Sequence, residues 1–176
     1  MHQRIVQRLL REQQEDGGWN CERANGSRVS SFDTTINVLE GLLEYERRVG
    51  AARQTRDRRG EEYLLRRRLF RRLRTGQVAD AQYLGFSHPN HWRYDILRAL
   101  DYLRSASIFD QTEPDPQLAE AIERVRAKRQ ANGKWVMDWA AHGRRWFELD
   151  DGAGQPSRWI TLRALRVLRW WEAAQQ

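Results

Sequence analysis

At 176 residues the chain is long enough for one domain with a hydrophobic core and too short for two comfortable ones. Hydrophobic residues make up 40% and Trp occurs eight times, which excludes a disordered composition. No stretch approaches the roughly 20 apolar residues that a membrane span needs, and Met1 to Arg11 lacks the apolar run of a secretory signal.

The net charge of +7 is almost all arginine, with lysine only at Lys128 and Lys134. Acids are interspersed, as in Arg47 and Arg48 after Glu44 and Glu46, or Arg124 and Arg126 after Glu120 and Glu123. Such spacing supports helices. With no aromatic-rich RNA-binding strand motif, the charge is read as solvated helix faces and not as a nucleic-acid or anionic-membrane surface. A single cysteine, Cys21, excludes an internal disulfide framework and fits a reducing cytosol.

In chain order, a first helix is predicted over about 2–15, with Ile5, Val6, Leu9 and Leu10 at helical spacing. A second runs over about 32–48, with Ser30 or Ser31 as its N-cap and Phe32, Ile36, Leu39 and Leu43 as its stripe. The third covers 59–73. The fourth covers 91–105, opened by Pro89-Asn90 and striped by Ile96, Leu97, Leu100 and Leu103. The fifth covers 115–130, opened by Pro114 and Pro116, with Leu118, Ala121, Ile122 and Val125 on one face. The sixth covers 157–173 behind Ser157. It is apolar over so wide an arc, from Ile160 to Trp171, that burial on more than one side is expected. Gly17 and Gly133 are placed as left-handed ends of the first and fifth helices. No alternating β-branched runs exist to build an α/β fold.

Internal repetition organises these helices. Gln14 to Trp19 and Gln130 to Trp135 share the pattern Gln-x-Asp/Asn-Gly-x-Trp. Leu39-Glu40-Gly41-Leu42, Leu97-Arg98-Ala99-Leu100 and Leu162-Arg163-Ala164-Leu165 form a second element, spaced by about 58 and 65 residues. One domain over 1–176 is therefore expected, all-α, with three helix-hairpin repeats over about 1–50, 58–106 and 114–173.

The first element resembles the QW motif of squalene–hopene and oxidosqualene cyclases. Leu9-Leu10, Gln14, Gly17 and Trp19 fit its second half. Arg59 to Leu64, with Tyr63 in the aromatic place, fits its first half, although Arg68 stands where Gln belongs. Gln130, Gly133 and Trp135 fit again, with Arg126 departing from the aliphatic position. The Gln amide is expected to reach the N–H groups starting the next helix and to stack on the Trp ring.

The resemblance implies an α/α toroid of the terpenoid cyclase and protein prenyltransferase superfamily, with inner helices around a central apolar cavity that binds or converts an isoprenoid ligand. Three repeats make about half of an α6-α6 barrel. A homodimer, another chain or a missing N-terminal portion is expected to close it. A non-catalytic scaffold that binds a protein partner on its concave face is the alternative.

For catalysis, Glu148-Leu149-Asp150-Asp151 resembles the Asp-x-Asp-Asp acid of those cyclases, with Glu in the first place. Asp150 and Asp151 are the candidate acids, and a loop acidic cluster near a helix start is the competing reading. The Asp-x-Cys zinc pairing of the prenyltransferases is missing. Cys21, His88, His91 and His142 are scattered, so no metal or cofactor set is expected. The starts of the second helices supply the candidate ligand-binding ring: Asp33; Trp92, Arg93, Tyr94 and Asp95; Arg158 and Trp159. The competing reading makes Asp33 and Asp95 helix-start acids and the Trp residues core. Trp139 and Trp146 are placed in a loop, as a lid or as cover for the core edge.

Overall fold

A computed structural model describes residues 2–50, 58–140, 147 and 149–175. The chain is mostly helical, with 55% of its residues in helix. Among the described residues are α1 (His2–Arg11), α2 (Phe32–Val49), α3 (Arg59–Leu65), α4 (Ile96–Asp110), α5 (Ala119–Ala127) and α6 (Arg158–Ala173). One small antiparallel sheet joins β1 (Trp135–Val136) to β2 (Pro156–Ser157). The chain forms two compact units, Met1–Arg66 and Arg67–Gln176.

The first unit is built around Trp19. Its ring is buried, its indole N–H donates to the Leu9 carbonyl of α1 at 2.7 Å, and its backbone N–H donates to the Thr35 hydroxyl of α2 at 3.0 Å. The backbone before it is kept bare for close packing. A Cβ on Gly60 of α3 would stand 2.7 Å from the Trp19 ring and 2.9 Å from Leu39. Gly17, at φ +96°, lies so close to the Arg59 carbonyl that a Cβ there would approach it to 2.5 Å. Tyr63 of α3 then packs edge-on against Phe32, with ring centroids 5.6 Å apart, and donates its hydroxyl to Ser30 O.

In the second unit Trp135 makes the corresponding bonds. Its ring is fully buried; its indole N–H donates to Val125 O of α5 at 2.7 Å and its backbone N–H to the Thr161 hydroxyl of α6 at 3.0 Å. Ala121, Ile122 and Val125 of α5 and Ile160, Ala164 and Val167 of α6 line the core beside Leu97, Ala99 and Leu100 of α4.

Ser31 and Ser157 cap α2 and α6, accepting from Thr34 N and Ile160 N, as their sequence positions predict. Several expectations are corrected. α1 stops at Arg11, and Gly17 and Gly133 shape turns well beyond the ends of α1 and α5, each accepting its left-handed φ there and closing no helix. α3 ends at Leu65 instead of 73, because Arg68 and Leu69 take positive φ, +47° and +67°, while Leu69 and Phe70 are drawn into the core. α4 starts at Ile96 instead of 91, since the cap is Asp95, accepting from Arg98 N, and not Pro89-Asn90. The Gln amides are not the link between helices. Gln14 reaches Ser27 O at 3.4 Å and exposed Gln130 reaches Lys128 O, while the threonine hydroxyls make the connection. α6 buries one face only; Leu162 is 47% exposed because arginines at 158, 163, 166 and 169 interrupt the apolar arc.

The threonine link is testable by thermal and urea unfolding. Thr35→Val and Thr161→Val preserve shape but strand a Trp backbone N–H, and each is expected to cost about 1–3 kcal/mol. Gln130→Ala is expected to stay within about 0.5 kcal/mol.

Candidate functional site

The second unit holds a cavity of about 610 Å³, lined by Gln82, Asn90, His91, Trp92, Arg93, Trp139 and Ala140. The segment before α4 supplies most of the wall. Its chain turns sharply at His91, at φ +50°, and Tyr94 anchors it: the ring is buried edge-on to Tyr83 and the hydroxyl donates to Leu69 O at 2.6 Å. With Tyr94 held inward, Trp92 is left 61% exposed. The Arg93 guanidinium lies over two rings, 5.0 Å from the centre of Trp92 and 5.3 Å from that of Trp139, and donates to Gln82 Oε1 at 3.2 Å. Trp139 packs against Gly85, where a side chain would crowd its Cδ1 and Nε1 at 3.3 Å; among the described residues its buried indole N–H has no acceptor.

Behind this wall runs a buried polar chain. Asp95 is fully enclosed at the start of α4; one carboxylate oxygen accepts from Arg98 N at 2.7 Å and the other from the Asn90 side chain. The Asn90 amide oxygen in turn accepts from Arg163 of α6 at 2.6 Å. Arg163 lies 3.7 Å from Asp101, whose other oxygen accepts from Arg104 at 2.9 Å. Asn90 thus spans α4 and α6 and also faces the cavity. Burial raises the Asp95 carboxyl above its ordinary value, while Arg163 and the donated hydrogen bonds pull the other way. Burial prevails because the Asn90 amide, not a guanidinium, meets the carboxylate.

The candidate ring is only partly assembled. Trp92 and Arg93 line the cavity, Tyr94 belongs to the core and Asp95 to the polar chain. Arg158 and Trp159 gather instead around Leu149, each donating to its carbonyl at 3.0 Å, and Trp159 stacks on His88 with centroids 5.4 Å apart. Burial, and after it Arg163, lowers the His88 pKa, against a smaller opposing effect of Asp150. Asp33 sits in the first turn of α2, in the other unit.

Asp150 is half-buried and accepts from the hydroxyl of Ser157, the α6 cap; Asp151 is exposed. Glu148, His142 and Trp146 lie outside the described residues. Among the described residues no three His, Cys, Asp or Glu side chains gather where a metal ion would be held. Cys21 is exposed.

Asn90, Gln82 and Arg163 were not singled out in the sequence as site residues. Arg163 carried a usable signal: with Arg98 it occupies the charged position of Leu-Arg-Ala-Leu, and a guanidinium inside an apolar stripe needs a partner. Asn90 and Gln82 carried none.

Asp95 gives the chain a distinctive pH response. With its folded pKa raised above the ordinary 3.8, the folded state binds more protons than the unfolded chain between those two values. Its contribution to stability therefore falls as pH rises through that window. In Asp95→Asn this component of the pH dependence is expected to vanish, and overall stability to drop by about 1–3 kcal/mol as an amide donor meets the Asn90 donor. Urea midpoints measured across the acidic range check both.

Comparisons with protein-family models, with curated proteins and with solved structures return no match to this chain.

Proposed function

We propose that this chain is a helical-repeat module of the α/α-toroid kind that binds an apolar-bodied small molecule of the isoprenoid class at the Trp92–Arg93–Trp139 cavity. The observation that carries it is the wall itself: two tryptophan rings flank one guanidinium around about 610 Å³, a volume suited to a small ligand. The flat apolar faces suit the body of such a ligand, and Arg93 with His91 suits a polar end. The repeat reading is supported by the identical bonding of Trp19 and Trp135, each to a carbonyl ten residues back and to a threonine hydroxyl ahead. The QW-like residues supply the family expectation.

Binding is preferred to conversion. No carboxylate is among the described residues lining the cavity, and the candidate acid Asp150 is engaged by the cap of α6. Protonating an alkene needs a carboxylic acid aimed at the substrate.

A second reading, a scaffold for a protein partner, is favoured by α6. Leu162 and Trp159 are exposed at 47% and 38% on a helix whose other face is buried, as expected of an array that continues onto another subunit.

Calorimetric titration with farnesol, beside native mass spectrometry of the purified chain, decides among these. Saturable binding that falls at least tenfold in Trp139→Ala and persists in Asp150→Asn is the expected result. Turnover that requires Asp150 would restore the enzyme reading. A ligand-free chain that self-associates, and becomes monomeric on Leu162→Glu, would favour the scaffold.

A further inference from the structure

The segment Arg67-Arg68-Leu69-Phe70-Arg71-Arg72-Leu73-Arg74 is densely basic: five arginines and no acid occur between Arg67 and Ala79. Its fold explains how so much like charge is held in place. Leu69 and Phe70 are fully buried, and Tyr94 fixes the Leu69 carbonyl. From that anchor the chain runs out and back as a hairpin, with Arg71 bridged to Val78, Arg72 N donating to Gln77 O, and Gly76 N to Arg72 O.

One arginine braces the hairpin from within. Arg71 forms a two-pronged pair with Glu120 of α5 and donates to Gly76 O. The pair holds Glu120 below the usual glutamate range. Glu120 is thereby taken up by Arg71, and Arg68 reaches it only at 3.7 Å. Arg72 donates to the Ala79 carbonyl at 3.1 Å, which directs it without neutralising it. Arg72 and Arg74 are exposed, and Leu73 between them is 50% exposed.

We propose that the Arg71–Val78 hairpin docks the chain on an anionic lipid bilayer, with Arg72 and Arg74 on lipid phosphates and Leu73 entering the headgroup region. Guanidinium groups bind phosphate oxygens in pairs, and basic residues near an anionic leaflet add attraction charge by charge. The apolar tip selects lipid over nucleic acid. Leu73 gains nothing against a phosphodiester backbone but is removed from water in a bilayer. Unpaired bases find no aromatic surface to stack on, because residues 71–78 hold no aromatic side chain and the preceding Phe70 is buried.

Co-sedimentation of the full chain with vesicles tests the proposal. Binding is expected to vesicles of mixed phosphatidylcholine and phosphatidylserine, not to phosphatidylcholine alone, and is expected to weaken as salt rises. Arg74→Gln is expected to reduce partitioning about fivefold, and Arg72→Gln with Arg74→Gln roughly thirtyfold, equivalent to about 1 kcal/mol per arginine. Leu73→Ser keeps every charge and is expected to weaken binding severalfold while leaving the salt dependence unchanged. Each variant is expected to show an unfolding transition like that of the unsubstituted chain, which separates loss of binding from loss of fold. Equal binding to neutral vesicles, undiminished binding by Leu73→Ser or by Arg74→Gln, or capture of a single-stranded RNA oligonucleotide with no vesicle binding would each overturn it.

Discussion

The architecture depends on what happens at two buried tryptophan backbones. A large ring in the connection after a helix is a strong source of apolar burial, yet it brings an indole N–H and a peptide N–H into the core, where each needs an acceptor. Trp19 and Trp135 solve this in the same way. The indole turns back to a carbonyl of the helix just finished, and the peptide N–H reaches forward to a threonine hydroxyl one turn into a later helix. Two helices are thereby tied through one residue. The glycines before and beside Trp19 follow from this, because the ring and the bent backbone leave no room for a Cβ at Gly17 or Gly60.

Much of this was legible in the sequence, and the failures are instructive. The helical character followed from periodicity, and the Ser31 and Ser157 caps from residue type. The Trp and Gly positions announced themselves by recurrence. The linking group did not: Gln was conspicuous in the pattern, yet Thr35 and Thr161 carry the bond. A threonine in a helix start is too common to stand out. The early end of α3 was hidden because the run Arg66 to Arg74 has good helical propensity; only the pull of Leu69 and Phe70 into the core overrides it. The start of α4 was misplaced because Pro89-Asn90 looks like an opening, whereas a buried Asp95 has the stronger claim as cap.

The candidate site divides labour between two layers. The outer layer, Trp92, Arg93 and Trp139, offers surface to a ligand. The inner layer, Asp95, Asn90, Arg163, Asp101 and Arg104, consists of alternating acceptors and donors that hold α4 and α6 in register. Asn90 belongs to both, since it faces the cavity while both ends of its amide are engaged behind it. Of the outer residues, Trp92 and Arg93 are recognisable as adjacent aromatic and charged letters in the sequence, whereas Trp139 reads there only as a lid or core-edge cover. The inner ones join the stretch from Asn90 to Arg104 with Arg163, which lies 73 residues from Asn90, a pairing that local patterns do not encode.

The unequal distribution of tryptophan between the two compact units has an optical consequence. Trp19 is the sole tryptophan of Met1–Arg66, and the other seven belong to Arg67–Gln176. Replacing Trp19 by Phe would render the first unit dark under indole-selective excitation. The fluorescence lost would then be the spectrum of a single, enclosed chromophore. That difference signal reports the melting of one unit alone, so the natural sequence already contains a site-specific label for asking whether the two units unfold together.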